Sequence, residues 1–303
     1  MTDRYGRPMR RPTSVELMLL ATVLLWALNL SVTKVILDEG LAPLSYATVR
    51  YGLAAAIFVA LALAVEGTLR IARGHLRLVA LAAATLWLNQ VCFVYALDLT
   101  AASTVGILLG AIPVFTGLFG LLLGTERASG RFWIAAAVSF AGVALVALGA
   151  AGEVSASLTG VALGIATAAT WAAYSVVFAP LTKTYSVARI SAVVLPCTWV
   201  LIALSGIPQT RDQDWSVGWE IWALLVFATI GPLVVTNILW FRSIRRIGAN
   251  RATLVANLEP FVAAVLAVIL LSEPLGVLQV LGGLAIAGGI VLARRRPSRA
   301  QSP

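Results

Sequence analysis

The sequence predicts an all-α membrane protein of ten transmembrane helices, arranged as two inverted five-helix repeats. Three features predict it: ten apolar runs long enough to cross a bilayer, basic residues confined to alternate connections, and an internal echo at a constant offset. Of the 303 residues, 60% are hydrophobic and only 12% charged, against roughly 25% charged in ordinary soluble domains. A chain this short has no core that could bury so much apolar surface, so the bilayer must act as solvent. The net charge of +9 does not imply nucleic acid. The Lys and Arg side chains lie between or beyond apolar runs and are not interleaved with aromatics on a soluble face, a distribution that marks membrane topology.

A transmembrane helix needs about 20 mostly apolar residues. Segments 15–37, 46–65, 78–97, 101–123, 131–149, 158–179, 189–206, 219–241, 251–272 and 275–293 meet that requirement. Their joints carry Gly, Pro or charge, as in Asp38-Glu39-Gly40, Gly206-Ile207-Pro208 and Ser272-Glu273-Pro274. Arg4, Arg7, Arg10 and Arg11 precede the first run and could mimic a signal peptide, with Arg10-Arg11 as a twin-arginine pair. The apolar run continues without an Ala-x-Ala site, so it is read as helix 1. The chain then divides into a cytoplasmic tail (1–14), a first repeat (15–149), a second repeat (158–293) and a basic cytoplasmic tail (294–303).

Charge sets the orientation. With the N-terminus inside, the inner segments hold Arg4, Arg7, Arg10, Arg11, Arg70, Arg73, Arg77, Arg127, Arg131, Lys183, Arg189, Arg242, Arg245, Arg246, Arg251, Arg294, Arg295, Arg296 and Arg299, which is 19 of the 22 basic residues. The outer loops hold only Arg211, while Lys34 and Arg50 fall within helices 1 and 2. That bias supports both the orientation and the even number of spans, and predicts a multi-pass protein of the cell (inner) membrane.

The second half echoes the first. Pro113 matches Pro260, Glu126 matches Glu273 and Gly142 matches Gly289, all at an offset of 147, and Trp26-Ala27 is repeated as Trp171-Ala172. Each half has five helices, and an odd number forces the second copy to enter the membrane from the opposite side. Inverted repeats of this kind place a site near the midplane at their interface, exposed alternately as the halves rock.

The chain resembles the drug/metabolite transporter (DMT) superfamily, and within it the EamA family of ten-helix carriers. The resemblance covers about 13–296 and rests on "LLWALNLSVTK", "PLSYATVRYGLAA", "ALDLTAASTVGILLGAIPVFTGLFGLLLGTE" and "LEPFVAAVLAVILLSEPLGVLQVLGGLAIAGGIVL". It implies an inverted five-plus-five bundle and export, less often uptake, of amino acids and other small metabolites, without fixing the substrate.

Several residues could line such a site. Pro113 and Pro260 sit near the middle of helices 4 and 9. Each lacks an N–H, which frees the carbonyls of Leu109 and Ala256, so the pair is expected to bend its helices beside a cavity. The alternative is an ordinary packing kink. Glu259 is the acidic residue nearest the bilayer centre, roughly 12 Å into helix 9 at 1.5 Å per residue. A charge there must face water or be protonated. It can bind a substrate ammonium or carry a coupling proton; the alternative is a neutral carboxyl propping the kink. Trp26, Asn29, Asn89, Gln90, Trp171, Tyr174, Asn237 and Asn257 are candidate substrate-binding residues, with Tyr95 and Thr236 beside them. Amides and phenols can hydrogen-bond a zwitterion, and indole faces can hold an apolar or cationic group. For each, a helix–helix contact is the competing reading.

Other polar positions read as structural. Arg50 is expected to snorkel, with attraction of a carboxylate in the outer vestibule as the alternative. Lys34 reads in the same way. Glu126 and Glu273 are expected to complement the N-termini of helices 5 and 10. Gly106/Gly110, Gly120/Gly124 and Gly160/Gly164 should let helices approach closely.

Cys92 and Cys197 both lie in apolar runs, so no disulfide is expected. The single histidine, His75, and the absence of CxxC give no metal or haem motif, and no Walker motif is present. No cofactor, metal or catalytic residue is therefore assigned. The expected function is a secondary transporter exporting amino acids or related small metabolites by alternating access. Its partners are the substrate, the lipid bilayer and, as a candidate coupling ion, the proton. A drug or lipid exporter of the same fold is the alternative. An intramembrane lipid-modifying enzyme, which would want clustered His, Asp or Arg at one face, is the remote one.

Overall fold

The computed structural model describes residues 14–122, 130–150, 157–247, 256 and 258–294, and every element of regular structure among them is helical. The α-helices in chain order are α1 (Ser14–Asp38), α2 (Pro43–Glu66), α3 (Leu76–Leu99), α4 (Ala102–Leu109), α5 (Ile112–Leu122), α6 (Gly130–Ala150), α7 (Leu158–Phe178), α8 (Val187–Ser205), α9 (Ile207–Asp212), α10 (Trp219–Thr229), α11 (Thr236–Ile247), α12 (Glu259–Leu271) and α13 (Val277–Arg294), with short 3-10 turns at Arg73–His75 and Leu181–Lys183. A π-helical segment, Ile230–Val235, joins α10 to α11. Seven stretches are long and apolar enough to span a bilayer: Ser14–Asp38, Pro43–Glu66, Arg73–Leu99, Ala102–Leu122, Leu158–Lys183, Val187–Ser205 and Trp219–Trp240. Three shorter apolar stretches accompany them, Trp133–Val146, Glu259–Leu271 and Val277–Gly289.

Local chemistry sets the ends. Pro43 opens α2, where its missing N–H costs nothing, and Gly67 closes it at φ 67°, a left-handed angle that glycine adopts freely. Ser157 and Ser186 cap α7 and α8 by accepting from the N–H groups of Gly160 and Arg189. The loop expected at 207–218 contains the short helix α9.

The fourth span is broken. α4 stops at Leu109, a tight turn through Gly110 and Ala111 follows, and α5 restarts at Ile112. The bend expected at Pro113 thus takes the form of a break just before it, with Pro113 as the second residue of the new helix. Pro260 is likewise the second residue of α12. In both places proline sits where a helix start leaves its absent N–H without consequence.

The contacts between helices follow an exchange rule. α2 packs on α8, the two-part α4/α5 span meets α12 through α4, and α6 packs on α13. In each case a helix of the first half meets its counterpart in the second. α3 packs on α7, and correspondingly α11 packs on α1. The rule holds for single residues where α6 crosses α13. A Cβ on Gly142 would fall 2.6 Å from the Gly282 carbonyl oxygen. The offset of 147 carries that pair to Gly289 and Ala135, where a Cβ on Gly289 would fall 2.7 Å from the Ala135 carbonyl oxygen. Gly106 meets Ala263 and Gly160 meets the Leu99 carbonyl with similar closeness. The main buried cluster runs through Tyr46, Tyr51, Phe58, Ile190, Ile202 and Leu225.

Gly142→Leu should push α6 off α13 and lower stability by about 1–3 kcal/mol, the usual cost of overpacking. Gly74→Ala, at a position with open space around it, should be neutral. Thermal unfolding of the detergent-solubilised protein measures both.

Candidate transport cavity

The two ends of the bundle differ. One gathers basic residues, among them Arg70, Arg73, Arg77, Lys183, Arg189 and Arg242. There Glu66, at the end of α2, takes the Arg189 guanidinium (Nη2–Oε2 2.6 Å) and the hydroxyl of Ser186. Tyr185 accepts from the Ala72 N–H and meets His75 Nδ1 at 2.9 Å.

At the opposite end, side chains from the second half satisfy helix N-termini in the first. Gln209 and Gln213, on and just after α9, accept from the N–H groups of Leu44 and Ala42 at the start of α2, each at 2.8 Å. Gln209 also donates to Tyr95, and Gln213 to the Gly40 carbonyl. Glu273 accepts from the N–H groups of Ala102 and Ser103 at 2.8 Å each. It therefore caps α4 across the molecule and not α13 beside it, contrary to expectation. The reason is that α4 begins with no side-chain cap of its own, leaving orphan donors that a carboxylate satisfies. Glu126 lies outside the described residues.

Between the ends is a cavity of about 1220 Å³ that reaches the basic end. Among its lining residues are Trp26, Pro113, Trp171, Tyr174, Asn237, Glu259 and Pro260, all singled out from sequence. Leu109 and Ala256 also line it. Its aromatic wall is continuous. The ring centroids of Trp26 and Trp240 are 5.4 Å apart, those of Trp26 and Trp171 6.4 Å, and those of Trp171 and Tyr174 5.5 Å. Trp26 is fixed by its indole N–H, which donates to Thr236, whose hydroxyl donates in turn to the Pro232 carbonyl. Neither Glu259 nor Asn237 has a hydrogen bond or ion pair to another described residue.

Other candidates lie elsewhere. Asn89 donates to the Thr167 carbonyl and Thr170 hydroxyl, joining α3 to α7, and accepts from Gln90. Asn29 accepts from Arg50. Asn89, Gln90 and Asn29 are all buried away from the cavity. Asn257 lies outside the described residues. Trp240, Lys183, Arg242 and Gln279 line the cavity without having been singled out. For Trp240 a signal existed, since it stands three residues after Asn237 on the same face of α11.

Arg50 does not snorkel. It is only 4% exposed. Its Nε and Nη2 donate to the Ala228 carbonyl at 3.3 and 3.2 Å, Nη2 also donates to Asn29 at 3.0 Å, and its guanidinium lies 5.7 Å from the Tyr46 ring centroid. The cause is Pro232, which has no N–H to give the carbonyl four residues back. In hydrocarbon that carbonyl needs another donor, and Arg50 supplies it. Lys34 is paired with Asp38 at 3.0 Å.

A bundle of long apolar helices enclosing a hollow of this kind defines a multi-pass membrane protein. The EamA-like transporter family model matches residues 13–148 and again 158–295, so the chain belongs to that family and carries two copies of its repeat. It is similar to the uncharacterized transporter YetK of Bacillus subtilis (strain 168), at 22% identity over 218 residues, covering 70% of this chain and 66% of that protein, just under two thirds of its length. It also shares its fold with a solved crystal structure described only as that of a protein, with a TM-score of 0.66 and 21% identity over 94% of this chain and 98% of that one.

Arg50→Leu should leave the Ala228 carbonyl unpaired and cost about 1–3 kcal/mol. Adding Pro232→Ala, which restores an N–H to the helix, should recover part of that loss. A double-mutant cycle of thermal unfolding reads the coupling, and strict additivity would contradict the arrangement.

Proposed function

We propose that the chain is a secondary transporter of the cell membrane that exports amino acids or related small metabolites by alternating access, with ten spans forming two inverted repeats and both termini cytoplasmic. The observation that carries the reading is the cavity: a hollow that reaches the basic end and is flanked by the paired helix starts at Pro113 and Pro260, with the end capped by Gln209, Gln213 and Glu273 taken as the closed one. The three shorter apolar helices complete the ten spans. The exchange of contacts between halves supports a two-fold relation, and five spans in each half turn that relation into an inversion. The basic end takes the cytoplasmic side by the distribution of Lys and Arg. The closed end is held largely by amide and carboxylate caps, contacts that can release and re-form as the halves rock.

Glu259 is the candidate coupling group. A carboxylate facing the cavity can take a proton or a cationic substrate group in turn, which would exchange one for the other. The remaining ionisable groups of the lining are Glu66, already engaged by Arg189, with Lys183, Tyr174, Tyr185 and Arg242.

A second reading, a drug or lipid exporter of the same fold, is favoured by one feature. The lining is mainly apolar and aromatic, and includes the exposed side chains Phe261 and Val265 of α12 and Val280 and Leu284 of α13. An amphiphile could use such a flank.

Purified protein in liposomes should exchange amino acids or related metabolites across the membrane. Folded protein that moves none of a broad panel contradicts the reading. Glu259→Gln should flatten the pH dependence of exchange, and an unchanged profile from acid to neutral pH excludes the proton role.

A further inference from the structure

We infer that Arg50 is an anion-receiving site. A carboxylate or halide pairs with its guanidinium in the layer of the bundle between the cavity and the end capped by Gln209 and Gln213. The assignment deepens the transporter reading and rests on it for the site's purpose, though not for its chemistry.

Every contact that Arg50 makes is with a neutral group. Its acceptors are the Ala228 carbonyl and the Asn29 side-chain oxygen. Its aromatic neighbour is Tyr46, whose hydroxyl is paired with that of Thr33. Among the described residues no carboxylate forms an ion pair with it; Asp38 is given to Lys34 and Glu66 to Arg189. Its Nη1, which carries two N–H groups, has no partner among the described residues. Guanidinium groups keep their charge in proteins. Burying one without a counter-ion is costly even when its hydrogen bonds are made. The Ala228 carbonyl asks for a single N–H, which a neutral amide would supply with no charge to bury. That carbonyl therefore accounts for a donor at this position, but not for a cation.

The place of the charge gives it a use. α1 begins at the basic end, where Ser14 meets Arg246, and runs to the capped end, where Gln213 holds Gly40. Trp26 of α1 lines the cavity. Asn29 follows three residues on, roughly 4.5 Å further along the axis at 1.5 Å per residue. Thr33 with Tyr46 forms the next layer. Neither Asn29 nor Arg50 lines the cavity, so a solute moving from the cavity toward the capped end meets this cation next. Ionisable groups inside a membrane bundle mark the path of a substrate or an ion. The flat guanidinium matches the two oxygens of a carboxylate with paired N–H groups, and a halide can take the same donors. Asn29 Oδ1 is the neutral acceptor that stands in for that anion. Lys183 and Arg242 line the cavity at its basic end in exposed positions, where water and salt screen them. The unscreened charge is left to Arg50.

The test is thermal unfolding of the detergent-purified full chain, since a ligand that binds the folded state raises its apparent stability. Sodium benzoate should bind at least about tenfold more tightly than benzamide, the same ring with a neutral head, which is the scale of one or two charge-assisted hydrogen bonds. Chloride exchanged for isethionate at equal ionic strength separates the two sources of the anion. Higher melting in chloride assigns the site to a free halide, and equal melting beside a benzoate preference assigns it to the carboxylate of a solute. Asn29→Asp places a fixed carboxylate against the guanidinium. It should raise the melting temperature and abolish both anion effects, whereas an Arg50 that only fastens helices gives wild type no anion effect to lose. Arg50→Gln should abolish those effects too, and Arg50→Lys should keep part of them. Three results overturn the assignment: no anion effect in wild type, a benzoate preference that survives Asn29→Asp, or an Asn29→Asp chain that melts no higher than wild type. The comparison of wild type with Asn29→Asp stands even if the Arg50 variants do not fold. Anion selectivity without flux in liposomes would contradict transport and leave this assignment intact. Flux of metabolites without any anion effect would do the reverse.

Discussion

In hydrocarbon a backbone carbonyl cannot be left without a donor, and that constraint organises this molecule. Pro113 and Pro260 stand at helix starts, where the missing N–H has no consequence, but Pro232 removes an N–H from within a span. There the chain brings a buried arginine from another helix to the freed carbonyl. That contact fastens α2 to α10 and, through Asn29, to α1. The π-helical segment belongs to the same economy, since its Pro232 carbonyl takes the Thr236 hydroxyl that orients Trp26.

The contacts at one end answer a related constraint, the orphan N–H groups at helix starts. The starts of α2 and α4 are capped by Gln209, Gln213 and Glu273 from the second half of the chain. Two of these caps are neutral amides. Breaking either of those two exposes no buried charge. The opposite end is held around α2 and α8 by an ion pair near solvent, Glu66 with Arg189, a contact of small net worth. Fastenings of comparable and modest strength at both ends fit the alternating-access mechanism proposed above.

The sequence made the apolar helices and the two repeats legible, because each rests on local composition or on a fixed offset. Rotation of a helix about its axis was not legible. In a bilayer both the lipid face and the packed face are apolar, so the periodicity that orients a soluble helix is lost. Trp26 and Asn29 stand three residues apart on α1, yet one meets the cavity and the other meets Arg50. Asn89 and Gln90 read as site residues by polarity alone and instead lie buried at the junction of α3 and α7. The fate of Arg50 depends on Pro232, far along the chain, and the target of Glu273 depends on a missing cap at α4. Such pairings are set by tertiary need, which composition and spacing do not report.

A wettable hollow around the two proline-started helices should be reachable from one side of the membrane. Reaction of Asn237→Cys, in a Cys92→Ala, Cys197→Ser background, with a membrane-impermeant maleimide in vesicles of known sidedness measures this. Labelling should come from the face that carries Lys183 and Arg242 and be much slower from the face that carries Gln209 and Gln213. Equal protection from both faces, or preferential labelling from the second, would rule such a hollow out.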